Sequence, residues 1–181
     1  MFRSQLRSFR SRAALGAMLA LVLAGLPEYA HATDNRAPVV PQDIMVGETN
    51  KVHFHGYAEG VQIYTWDGLS WGASVPEAIL YDNDGNVVAI HYAGPTWESN
   101  SGSKVVGAVV PPRVTVDSNA IPWLLLKATH TEGPGIFAAT TYIHRVNTVG
   151  GKAPAAAGLF VGQVARVPYT ADYFFYREFS N

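Results

Sequence analysis

Apolar and polar residues alternate over short stretches of this chain, and helical periodicity is nearly absent beyond the first thirty-odd residues. Segments rich in Val, Ile, Thr, Tyr, Phe and Trp recur between clusters of Gly, Pro, Asn and Asp. They predict strands near 51–57, 60–66, 77–82, 86–92, 104–110, 122–130, 136–146 and 168–177. In "KVHFHGY" the period of two places Val52 and Phe54 on one face and His53 and His55 on the other. "IPWLLLKA" does not alternate, which predicts a central strand covered on both faces.

The breaks between these segments carry turn chemistry. "YDNDGNVV" sets Asp84-Gly85 between two apolar runs, a hairpin signal because glycine tolerates positive φ. "EGPGIF" reads as a tight turn and "NTVGGKAPAAAG" as a longer loop, while Pro111, Pro112, Pro122 and Pro168 suit strand starts or edges. The pattern predicts an all-β, single-domain β-sandwich or small barrel of about eight strands with little helix. A membrane barrel needs sustained lipid-out alternation; the Gly- and Pro-rich connections and the unbroken "WLLL" argue instead for a soluble domain.

Composition adds an address. Arg3, Arg7, Arg10 and Arg12 precede the apolar run "AALGAMLALVLAGL", and Ala30-His31-Ala32 has the small-x-small form of a signal-peptidase site. Residues 1–32 are therefore expected to be a signal peptide and 33–181 a single β domain, exported to the periplasm or secreted. No later apolar run reaches the roughly 20 residues of a membrane helix. The sequence has no cysteine, which excludes disulfides, thiol catalysis and a lipid-modified cysteine. Without residues 1–32 the chain keeps nine basic against thirteen acidic side chains, hence a formal charge of −4. With those charges scattered singly, nucleic acid is not an expected partner.

Several motifs invite chemistry. "GLSWG" at 68–72 fits the G-x-S-x-G nucleophile elbow, but Pro76 interrupts any following helix, so Ser70 reads as a turn residue. "DNDGN" lacks a calcium loop's turn glycine and final ligand: Val87 and Ala93 stand where glycine and glutamate are needed. His53 and His55, joined by His91, could hold zinc or copper with an open position for water or an oxidant. The carboxylates Asp67, Glu77, Glu98 and Asp172 show no glycosidase pairing in linear order. The densest cluster is "HYAGPTWESNSGSKVVG". There Trp97 and Glu98 beside a polar loop could bind a sugar, or Trp97 could plug the core while Glu98 pairs with Lys104 or Arg145. In "YIHRVNTVGG", Arg145 and Asn147 form a polar tip on an apolar strand, a bridge or a pocket wall.

"GVQIYTW", "AGPTWESNSGSKVVG", "IPWLLLKA", "RVNTVGG" with Pro154, and "VPYTADYFFYRE" together resemble the exported bacterial and fungal family DUF3455, a domain of unknown function. The resemblance covers nearly the whole chain after the signal and makes Gln62, Tyr64, Trp97, Glu98, Arg145 and Tyr169 family-like positions without giving them roles. Fungal relatives are sometimes labelled malate dehydrogenase. This sequence does not support the label, since no G-x-G-x-x-G opens a helix after a strand.

The expectation is thus a non-enzymatic binding module for a polar envelope or extracellular ligand, a glycan foremost, with Trp97, Glu98, His91, Tyr64, Trp66 and Arg145 around the site. The alternatives are a metal-dependent envelope enzyme with zinc or copper on His53, His55 and His91, and a structural or stress-associated envelope protein.

Overall fold

The computed structural model describes residues 36–179; the expected signal peptide at 1–32 lies outside them. Eight strands follow in chain order: β1 (Asn50–Thr65), β2 (Val75–Tyr81), β3 (Val87–Tyr92), β4 (Thr96–Ser99), β5 (Lys104–Val114), β6 (Trp123–Glu132), β7 (Thr140–Gly150) and β8 (Val164–Glu178). Each pairs antiparallel with the next, and β8 returns to pair with β1 from Asn50↔Glu178 to Thr65↔Val164, closing a barrel. Closure removes every unpaired edge, which is what distinguishes this architecture from a sandwich.

The predicted strands 51–57 and 60–66 prove to be one, the 16-residue β1. Gly60 does not break it. The backbone of β2 comes so close there that a Cβ would overlap the Glu77 carbonyl and Ala78, and only glycine fits. β4 has four residues and carries no strand signal of its own; it is held between β3 and β5. With no edge to occupy, four prolines sit inside strands rather than at edges: Pro76 in β2 and three more. Pro111 and Pro112 fall where the β5–β6 register is interrupted between Val110 and Val114, and Pro168 lies just beyond the last β7–β8 pair, Gly150↔Tyr169.

Small inward residues on β1 to β3, namely Gly56, Ala58, Ala78 and Ala89, leave room for large ones opposite: Trp97, Tyr169, Tyr173 and Phe175. One end is plugged. Phe137, from the turn before β7, is fully buried against Phe54 and Phe175, and its N–H donates to Ser103 Oγ. Charged Glu59, Glu77, Lys127 and Arg166 are exposed on the outside, the reverse of a lipid-facing barrel.

Part of the outer wall is also covered. Residues 36–49 cross it with a 3-10 turn (Gln42–Ile44), and Val40 and Val46 pack on Val52, Val146, Phe174 and Tyr176. His144 fastens this strap: its Nε2–H donates to the Ile44 carbonyl at 2.6 Å, and its Nδ1 lies 3.0 Å from the Tyr176 hydroxyl. Leu124 and Leu126 face inward while Leu125, between them, is only 7% exposed, so "WLLL" is covered on both faces as expected.

The alternation expected for "KVHFHGY" is broken by a bulge between Val52 and Phe54. Val52 joins the outer cluster, whereas Phe54 packs with the inner one. His53 Nε2 then lies 3.4 Å from Thr140 Oγ1, while His55 stacks on the outward-facing Phe174.

The two turn readings hold in detail. Asp67 Oδ1 accepts from the N–H groups of Leu69 and Ser70, and its Oδ2 accepts from Ser70 Oγ, so Ser70 serves the β1–β2 hairpin. Asp82 likewise caps the β2–β3 turn through Asp84 and Asn86, with Gly85 at φ 80°.

Candidate functional site

The end of the barrel opposite the Phe137 plug holds a cavity of about 180 Å³. Two loops half-close this mouth: Tyr64 donates from its hydroxyl to the Gly151 carbonyl, and Thr148 Oγ1 to the Ile121 carbonyl. The opening lies on the remaining side, by Ser74 to Pro76, Ala93 to Pro95 and Arg113. Inward-facing positions of six strands supply the inner wall: Gln62 from β1, His91 from β3, Trp97 from β4, Leu124 and Leu126 from β6, Arg145 from β7 and Tyr173 from β8.

Trp97 is 1% exposed. Its indole stacks on the His91 ring at 4.3 Å and 6°, and meets Tyr173 and Phe175 edge-on. His91 is fixed by its Nδ1, 2.8 Å from the Thr96 carbonyl. A carbonyl only accepts, so the proton sits on Nδ1 and Nε2 keeps a lone pair. Burial pulls the His91 pKa down to about 3, aided by the Arg145 charge, so the imidazole is neutral. Burial likewise raises the pKa of Tyr64, Tyr169 and Tyr173, and these phenols stay protonated.

Arg145 is 9% exposed, and its Nε and Nη2 both donate to the Pro122 carbonyl, at 3.3 and 2.8 Å. Among the described residues no carboxylate pairs with it, and none lines the cavity. Two further lining side chains, Gln62 and Trp97, are almost fully buried; Trp97 Nε1 has no hydrogen-bond partner among the described residues, and Gln62 Nε2 has none of ordinary length, although its side chain comes near enough to the Tyr169 hydroxyl to lower that phenol's pKa. Native proteins rarely leave such donors unpaired.

The structure therefore brings together His91, Trp97 and Arg145 of the expected site. Tyr64 stands near them, sensing the Arg145 charge. Trp66 pairs instead with Trp71 at the base of the β1–β2 hairpin. Glu98 points away from Trp97, as neighbours on a strand must. It accepts from the Tyr92 hydroxyl at 2.7 Å and pairs with Lys104 at 3.5 Å on the outer surface. The other carboxylates also have outer roles: Glu77 with Arg166, Asp172 with Asn147.

The three histidines do not converge. His91 lies inside against Trp97, His55 outside on Phe174, and His53 at the bulge by Thr140. Among the described residues no group of three His, Cys, Asp or Glu is arranged to hold a metal ion.

Sequence reasoning overlooked Gln62 and Tyr173 as wall residues and Arg113 at the rim. Gln62 had a usable signal: it follows Ala58 and Gly60 at the inward period of β1, a polar residue in an apolar row.

The geometry defines an eight-stranded up-and-down barrel, plugged at one end, with a donor-lined cavity in the other. The family described as "Protein of unknown function (DUF3455)" matches residues 47–177, which span β1 to β7 whole and all but the last residue of β8, and the chain belongs to it. Neither a curated protein nor a solved structure matches.

Proposed function

We propose that the chain is an exported, non-enzymatic binding module whose barrel mouth holds a small polar ligand. The observation that carries this reading is the pair of buried, unpartnered donors, Gln62 Nε2 and Trp97 Nε1, in the wall of a cavity that also holds the uncompensated Arg145. Each such group costs about 1–3 kcal/mol when its water is lost without replacement, a cost that a bound acceptor removes. Export rests on the basic, apolar and small-x-small pattern of residues 1–32.

A non-enzymatic role follows from the character of the same groups. His91, Tyr64 and Tyr173 are held in their neutral forms, and Arg145 does not release its proton in proteins. Ser74 lines the mouth, but no carboxylate stands beside it to orient a base, among the described residues. The glycan version of the reading changes in mechanism. At 1% exposure Trp97 has no open ring face for a sugar to stack on, so a sugar residue would be held by hydrogen bonds alone.

Native mass spectrometry of the protein isolated from its own export compartment tests this proposal. The expected spectrum shows a chain beginning at Thr33 and carrying a small organic adduct. A chain that keeps residues 1–32 would contradict export, and a bare mass in repeated preparations would contradict the binding role.

A further inference from the structure

Resting on that reading of the mouth, we infer that its ligand is a small organic monoanion, a carboxylate held by Arg145. A guanidinium that is 9% exposed is largely removed from water, yet its hydrogen-bonded partners among the described residues, the Pro122 carbonyl and the Tyr173 hydroxyl, are both neutral. Buried charges are ordinarily paired, because the cost of desolvating one is recovered only against an opposite charge at close range. Among the described residues no Asp or Glu supplies that charge to Arg145, and none lines the cavity. The counter-ion is therefore expected to come from outside the described residues, and a bound anion supplies it most simply.

The unpaired groups specify its chemistry further. Gln62 Nε2 and Trp97 Nε1 are both N–H donors. Together with the guanidinium they form a set of donors that asks for acceptors. A carboxylate brings two oxygens and several lone pairs and no proton, and its plane suits the fork of an arginine. One buried cation balances one negative charge, which favours a carboxylate over a phosphate dianion. The remainder of the ligand is limited by the walls. Val109, Leu124 and Leu126 are apolar, and the space of about 180 Å³ beside them suits a short apolar tail. Arg113, exposed at the rim, adds a second positive charge where an anion would enter.

The test uses the mature protein and four probes: propionate, propionamide, inorganic phosphate and glucose. The Trp97 indole N–H is followed by nitrogen–proton correlation spectra, together with the thermal midpoint. Propionate should shift that resonance and raise the midpoint, while propionamide, of the same shape but uncharged, should do neither. Arg145→Gln should weaken propionate roughly 10- to 100-fold, the loss expected for one charge-assisted pair. Arg113→Gln, at the exposed rim, should weaken it only slightly and lessen its dependence on salt. If Arg145→Gln does not fold, the contrast between propionate and propionamide in the unaltered protein decides alone. Glucose or propionamide acting as strongly as propionate would overturn the carboxylate and leave the binding module standing. Phosphate acting more strongly would overturn it too. Silence from all four probes overturns the carboxylate, and the presence or absence of a native adduct then decides the binding role separately.

Discussion

Trp97→Ala should destabilise the barrel by about 3–5 kcal/mol, the range for removing a large aromatic side chain from a packed core. The indole is 1% exposed and touches three other rings, His91, Tyr173 and Phe175, on two strands. It also belongs to the shortest strand, the four-residue β4, which has little besides this side chain to bind it to the interior. Gly107 on β5 has the indole so close that a Cβ there would lie 3.3 Å from it, so the neighbouring wall is fitted to its outline. Urea unfolding should show a large fall in the midpoint. Trp97→Phe should recover most of the loss, because a ring still stacks on His91 and the unpartnered Nε1–H is gone. An alanine variant as stable as the parent would mean that Trp97 is not a core residue.

The second large effect is acid lability. Burial holds His53 down to about 4, with the Arg177 charge assisting, and holds His91 down to about 3. His144, under the outer strap, is also lowered by burial. In the unfolded chain each titrates near 6.5, so above that pH both states are neutral and the histidines leave stability unchanged. As pH falls below about 6.5 the unfolded state takes up protons that the fold refuses, and stability drops by about 1.4 kcal/mol per pH unit for each fully buried histidine. His53 is partly solvated and contributes less. From pH 6.5 to 4.5 the loss should be on the order of 3–5 kcal/mol, a large share of the 5–15 kcal/mol typical of a domain. Urea midpoints at several pH values measure it, and His53→Gln should flatten the slope. Constant stability from pH 7 to 4.5 would mean that these imidazoles reach water.

What the sequence made legible was mostly local. Asp67 with Ser70, and Asp82 with Gly85 and Asn86, act through hydrogen bonds within four residues, so their composition alone named the turns. The unbroken apolar run of β6 announced its burial on both faces. Closure was not legible, because whether β1 meets β8 is decided by residues more than a hundred positions apart, and the same alternation serves sandwich and barrel. The bulge at Val52 and Phe54 was equally hidden, and it separated His53 from His55. Of the two readings of Trp97 and Glu98, the core plug with a Glu98–Lys104 pair matches the geometry and the shared sugar site does not; the latter arose because no strand was assigned to 96–99. Once 96–99 is a strand, the period of two sends one inward and the other out. His91, Trp97 and Arg145 were found as unusual residues, but their convergence belongs to the barrel and not to any stretch of sequence.

The central claim is that the mouth is completed by a ligand that accepts from Gln62, Trp97 and Arg145. A high-resolution crystal structure of the protein taken from its native compartment tests it most directly. The account predicts a small, non-water group within hydrogen-bond distance of the Arg145 guanidinium and of at least one of Gln62 Nε2 and Trp97 Nε1. A cavity in which ordered waters alone satisfy all three would contradict it.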